Sequence, residues 1–194
     1  MDWQIHHRDE LSREDYERCL ALMEPERCRA VLSVTHQQTR HMTVLGEWVV
    51  KCELAKCVGC PVEEVVLRRT SRGKPEAAGL GIHFSLSHTG PWLAAAFDTR
   101  PVGIDAELLH PVTEKLARRI CTAGDWDYLL GGSPFDRLDE GQRERFFRIW
   151  TAKEAFYKRE GTGIKGLREL DYAAIPARHM CRDSLLITLV GTQE

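Results

Sequence analysis

The sequence lacks any apolar run near the roughly 20 residues that a membrane-crossing helix needs, so no such helix is expected. Its opening stretch, "MDWQIHHRDE", is too polar for a secretory signal, which makes the cytoplasm the expected location. Charge of one sign is also missing: 27 Lys and Arg face 29 Asp and Glu, for a net −2. That balance is not that of a protein built to coat nucleic acid or anionic lipid, and neither partner is expected. There is no internal repeat, low-complexity tract or long linker. What remains is 194 residues with 43% hydrophobic content, enough for one larger domain or two small ones sharing a core.

Cysteine is not scarce, but its seven copies form an odd set in a chain with no export signal, so reduced thiols are expected. The spacing Cys52-x4-Cys57-x2-Cys60 suits three ligands of an iron-sulfur cluster, and its closing C-x-x-C suits zinc. A thiol-rich metal-binding regulatory module is therefore the competing functional reading. Against it, Val44, Leu45, Trp48, Val49, Cys52, Ala55 and Val58 recur at three- and four-residue steps. That periodicity puts Cys52 on the buried stripe of a helix over 36–58, where a thiol acts as a small hydrophobe.

The periodicities predict an α+β chain. Helices are expected over 11–23 (capped by Ser12), 112–120 and 140–160, the last stopped by the "GTG" at 161–163. Strands are expected over 63–70, 83–88, 92–98, 101–107, 167–175 and 184–190. The turn-forming "DTRP" at 98–101 is too short for a crossover and predicts an antiparallel hairpin of the strands on either side. The order fits two similar halves, 1–108 and 109–194, meeting face to face around a cleft.

The stretch "VGIDAE" at 102–107 ends an apolar strand on two acids. Residues two apart on a strand share a face, so Asp105 and Glu107 project together, and a hard divalent cation would relieve their repulsion. A strand end entering solvent is the commoner origin of such a pair. In the later helix, Glu154 and Lys158 stand at i,i+4, either as a surface ion pair or as a third oxygen ligand beside a phosphate-holding cation. Ser87, His88 and Asp105 could instead be a hydrolase triad, but no G-x-S-x-G elbow surrounds a serine.

Four ordered motifs, "GKP" at 73–75, "HFSLSHTG" at 83–90, "VGIDAE" at 102–107 and "RIWTAKEAFYKREGTGI" at 148–164, resemble those of the surfactin-type 4'-phosphopantetheinyl transferases. The resemblance implies a holo-[acyl-carrier-protein] synthase. It would transfer the phosphopantetheine arm of coenzyme A to a serine of an apo acyl or peptidyl carrier protein, with Mg2+, releasing adenosine 3',5'-bisphosphate. Carried over residue by residue, it makes Asp105, Glu107 and Glu154 the metal ligands, with Glu154 and Lys158 in the chemistry. Lys74, Ser87, His88 and Lys158 become coenzyme A contacts, joined by Arg27 and Thr43 near the nucleotide end. A monomer is expected. Where the family often has a Glu after the second helix, this chain offers Asp125; just before Thr43, where an Arg is common, it has Met42, with Arg40 nearby. The chain also stops soon after "SLLITLV", so the closing strand of longer relatives is expected to be missing.

Overall fold

A computed structural model describes residues 1–71, 73–164 and 166–191. Strand β5 (Trp92–Asp98) forms the centre of the first sheet, paired antiparallel on one edge with β1 (Asp2–His7) and on the other with β4 (His83–Thr89). The second sheet runs β6-β8-β7, with β8 (Leu185–Val190) between β6 (Gly103–Leu108) and β7 (Ala177–Arg182), again antiparallel. A short pair, β2 (Leu67–Arg69) with β3 (Pro75–Ala77), stands beside them.

Six helices fill in the rest among the described residues: α1 (Arg13–Ala21), α2 (Pro25–Leu32), α3 (Gln37–Val58), α4 (Glu114–Ile120), α5 (Ala123–Leu130) and α6 (Glu140–Glu160). The chain is thus α+β, as expected. Ser12 caps α1 by accepting the Asp15 amide at 3.0 Å. Asp139 and Gln142 cap α6 reciprocally, at 2.7 and 3.0 Å, and Gly161 ends it at φ +65°, a conformation that strains residues with a Cβ. The long α3 lies against the first sheet and α6 against the second. No helix among the described residues is long and apolar enough to cross a membrane.

Three sequence expectations are corrected. Strands β5 and β6 make no hairpin, because β1 and β4 already occupy both edges of β5; β6 pairs with β8 instead. Residues 167–175 form two 3-10 turns, Leu167–Glu169 and Tyr172–Ala174, not a strand; Asp171 starts the second by accepting the Ala173 amide at 3.0 Å. The strand over 63–70 shrinks to β2 behind a 3-10 turn at Val62–Glu64.

The contact between α6 and β6 sets the site. A Cβ on Gly103 would lie 1.8 Å from the Ala155 carbonyl oxygen, so only glycine lets helix and strand approach this closely. Phe146, Phe147 and Ile149 anchor α6 in the second half's core, while Ala152 and Ala155 form its thin contact with Ile175 and Val190.

Candidate active site

Strands β4 and β6 lie side by side without a backbone ladder between them. Hydroxyls at alternate positions of β4 span the seam. Ser85 Oγ accepts the Ile104 amide at 3.1 Å, and Thr89 Oγ1 accepts the Leu108 amide at 3.3 Å while donating to Glu107 Oε2 at 3.2 Å. Between them, Ser87 Oγ donates to Asp105 Oδ1 at 2.8 Å. Lys158 reaches in from the last turn of α6, its Nζ 2.5 Å from the same Oδ1 and 2.9 Å from Ser87 Oγ.

Asp105 is 1% exposed, and its second oxygen, Oδ2, is buried with no hydrogen-bond partner. A carboxylate oxygen in that position lacks a donor or a cation. Its neighbours show the same shortage. Burial first, then the Asp105 and Glu154 charges, push the Glu107 carboxyl up to about 7, against the Thr89 bond. The Glu154 carboxyl is raised by burial and by Asp105, opposed by the bond it accepts from Trp150 Nε1 at 2.6 Å and by Lys158. The site is an acid cluster with too little positive charge.

The structure therefore brings Asp105, Glu107, Glu154, Lys158 and Ser87 together. Of the two arrangements open for Glu154 and Lys158, the structure does not have the i,i+4 surface pair: Lys158 binds Asp105 across the seam, and Glu154 accepts from Trp150. Among the described residues no three His, Cys, Asp or Glu side chains converge into a ready-made metal cage. With Lys158 on Oδ1 the like-charged carboxylates need not close on one another, yet the orphaned Oδ2 and the two raised carboxyls fit a hard cation. Mg2+ needs only one or two protein carboxylates beside substrate oxygens and water.

Lys74 stands at the end of α6. Its Nζ donates to the Lys158 and Arg159 carbonyls, at 2.9 and 3.3 Å, capping the C-terminus of α6, and burial lowers its pKa. It also lines a cleft of about 270 Å³ with Gly73, Ser85, Leu86, Tyr157 and Lys158. His88 stands one residue beyond Ser87 at the end of β4; partial desolvation, then the Lys158 ammonium, hold its pKa below the usual value. Arg27 and Thr43 lie outside that cleft. Arg27 lines a separate cavity of about 730 Å³ and pairs with Glu47 at 2.9 Å, and Thr43 donates to the Thr39 carbonyl at 2.8 Å. Ser87 bonds to Asp105 and Lys158 and not to His88, which is not the geometry of a hydrolase triad.

Asp125 takes no part in the acid cluster. It forms a fully buried ion pair with Lys153, accepts the Thr122 amide at 2.7 Å and the Tyr172 amide at 2.9 Å, and so joins α5 to the 3-10 turns. The Cys52, Cys57 and Cys60 thiols are free, with Cys57 exposed and the other two half-buried. Sequence reasoning missed Ser85, Thr89 and Trp150. Alternating hydroxyls at 85, 87 and 89, and an indole four residues before Glu154, were the available signals.

Residues 101–191 match the profile of the 4'-phosphopantetheinyl transferase superfamily. The 4'-phosphopantetheinyl transferase Sfp of Bacillus subtilis strain 168 is 31% identical over 155 residues, covering 79% of this chain and 67% of its own length. The transferase psf-1 of Bacillus pumilus is 36% identical over 123 residues, 63% of this chain and 51% of its own. HetI of Nostoc is 35% identical over 144 residues, 71% of this chain and 59% of its own. The profile begins where β6 is about to start and ends just past β8, so it takes in Asp105, Glu107, Glu154 and Lys158 together. By this sequence kinship the chain belongs to the 4'-phosphopantetheinyl transferase superfamily, and it is an enzyme of that transferase class.

Proposed function

We propose that the chain moves the 4'-phosphopantetheine arm of coenzyme A onto a serine of an apo acyl or peptidyl carrier protein, with Mg2+, releasing adenosine 3',5'-bisphosphate. The single observation that carries this reading is Asp105, a buried carboxylate with one oxygen on Lys158 and the other without a partner. Asp105, Glu107 and Glu154 would hold the metal. When bound, Mg2+ neutralises the pyrophosphate oxygens that otherwise repel an incoming nucleophile.

The remaining work falls to side chains. Lys158, shared between Ser87 and Asp105, is placed to follow charge onto the departing phosphate at the end of the transfer. Glu154, its pKa raised by burial and by Asp105, is suited to take the serine proton at Oε2, because Oε1 is engaged by Trp150. Ser87 and His88 would orient the diphosphate at the mouth of the seam. Lys74 uses two of its three N–H donors on carbonyls and Arg27 its Nε–H on Glu47, so each keeps donors for a phosphate. Arg27 and Thr43 would contact the nucleotide end.

Incubating the protein with coenzyme A, Mg2+ and a panel of apo carrier proteins, and following intact mass, tests the reading. Transfer is expected, lost on chelation, and reduced on the order of a thousandfold in kcat/KM by Asp105→Asn, which keeps the shape but cannot balance Lys158. Normal labelling by that variant would exclude the assignment.

A further inference from the structure

Outside the acid cluster, four side chains form an unbroken hydrogen-bonded chain through the second half. Thr151 Oγ1 on α6 lies 2.7 Å from the Phe147 carbonyl oxygen. A carbonyl only accepts, so the single Thr151 hydroxyl proton points there. Thr188 Oγ1 on β8 lies 2.5 Å from Thr151 Oγ1 and must therefore donate to it. That leaves Thr188 as the acceptor for His179 Nδ1–H on β7 at 2.8 Å. His179 Nε2, the bare nitrogen of that neutral tautomer, accepts from the Tyr172 hydroxyl at 3.0 Å. Every proton direction follows from the carbonyl at the end.

The chain's location gives it a use. In register, Thr188 stands directly opposite Asp105 on one side and His179 on the other, so the three share one face of the sheet. Thr151 precedes Glu154 by three residues, about one helical turn. Thr151 and Thr188 are both completely buried, between the cluster that holds Phe147 and Leu186 and the small apolar contact of Ala152, Ala155 and Val190. Small apolar surfaces resist sliding weakly; a directional bond in a low-dielectric setting fixes one register.

We propose that Thr151, Thr188 and His179 are positioning residues whose hydrogen-bonded chain sets the register of α6 on the second sheet, and so places Glu154 and Lys158 against Asp105. This rests on the reading of the acid cluster as the active site.

Three measurements test it together. Thr188→Val keeps the shape and removes the hydroxyl; kcat is expected to fall about tenfold with KM for coenzyme A within about twofold, and Thr188→Ser to restore kcat. His179→Phe, on the outer strand β7 where a ring is accommodated, should lower kcat likewise and serves if Thr188→Val does not fold. Nitrogen-15 shifts of His179 should show the proton on Nδ1 in the wild type. The proposal is overturned if every folded member of the Val and Phe pair keeps kcat within twofold, if Ser fails to restore it, or if the ring proton sits on Nε2. Asp105→Ala run alongside separates the two readings: unimpaired transfer by that variant removes the site assignment and this proposal with it. An inactive Asp105→Ala beside an unimpaired Thr188→Val overturns the proposal alone.

Discussion

Two buried carboxylates in this chain carry opposite signatures. Asp125 is satisfied: both oxygens accept backbone amides and one also takes Lys153, whose three protons go to Asp125 and to the Ile120 and Leu167 carbonyls, each at 2.8 Å. Asp105 is left one donor short. The first pattern is a structural joint and the second marks a site kept open for a ligand. Removing one partner of the joint strands a buried charge, so Lys153→Met should cost about 3–5 kcal/mol by chemical denaturation. Adding Asp125→Asn, which removes the stranded charge but keeps an amide acceptor, should recover about half of that; equal stability of single and double variants would contradict the compensation. His179 gives a pH signature. Burial first and Arg148 second, against Glu144, depress its pKa to about 4. Between that value and the usual 6.5 the unfolded chain binds a proton that the fold does not, so stability rises with pH. The full contribution is present above pH 6.5 and is lost as pH falls toward 4. Because the ring is only half-buried, about 1–2 kcal/mol is expected. Urea midpoints of wild type and His179→Phe should diverge across that window, the wild type falling faster as acid is added.

At the level of elements, the α6 contact with β6 depends on a missing side chain. Gly103→Ala drives a methyl into the Ala155 carbonyl and must push helix or strand aside. A loss of about 3 kcal/mol is expected from such overpacking, with activity falling further than stability because the displaced helix carries Glu154 and Lys158. Denaturation and steady-state kinetics on the one variant check both. The same contact shows what the sequence could and could not say. Helix α6 was legible at both ends, since a periodic aromatic face and a glycine stop are local signals. The acid pair was legible because strand geometry fixes which residues share a face. The pairing of β6 was not legible. Whether "DTRP" closes a hairpin depends on β1, ninety residues away in sequence, occupying the edge of β5. The hydrogen-bond partners of Lys74 and Lys158 were not legible for a related reason: a lysine's partner lies wherever its long side chain reaches, here a helix end or another strand, and spacing along the chain does not contain that information.

For the whole molecule, the decisive feature is that the two three-stranded sheets share apolar contents. One core cluster holds Ala94 and Ala96 of β5, with Ile5 and Trp92 against it, together with Ile104 and Ala106 of β6 and Ile187 and Leu189 of β8. The seam above it is held by the β4 hydroxyls on β6 backbone amides. We propose that the stretches 1–108 and 109–194 therefore fold as one cooperative unit, since neither sheet can be exposed without uncovering that cluster. Ile187→Ala tests this well: Ile187 is 1% exposed, and its truncation leaves a cavity between the sheets. A loss of about 2–5 kcal/mol is expected, in a single thermal transition whose calorimetric and van't Hoff enthalpies agree. Amide exchange should speed up by a similar factor in β5, which the substitution does not touch in sequence, and in β8, which carries it. Faster exchange confined to β6, β7 and β8 would mean that the two sheets open separately. In that case the seam carrying Ser87, Asp105 and Lys158 would be a joint between two independently stable bodies, not the interior of one.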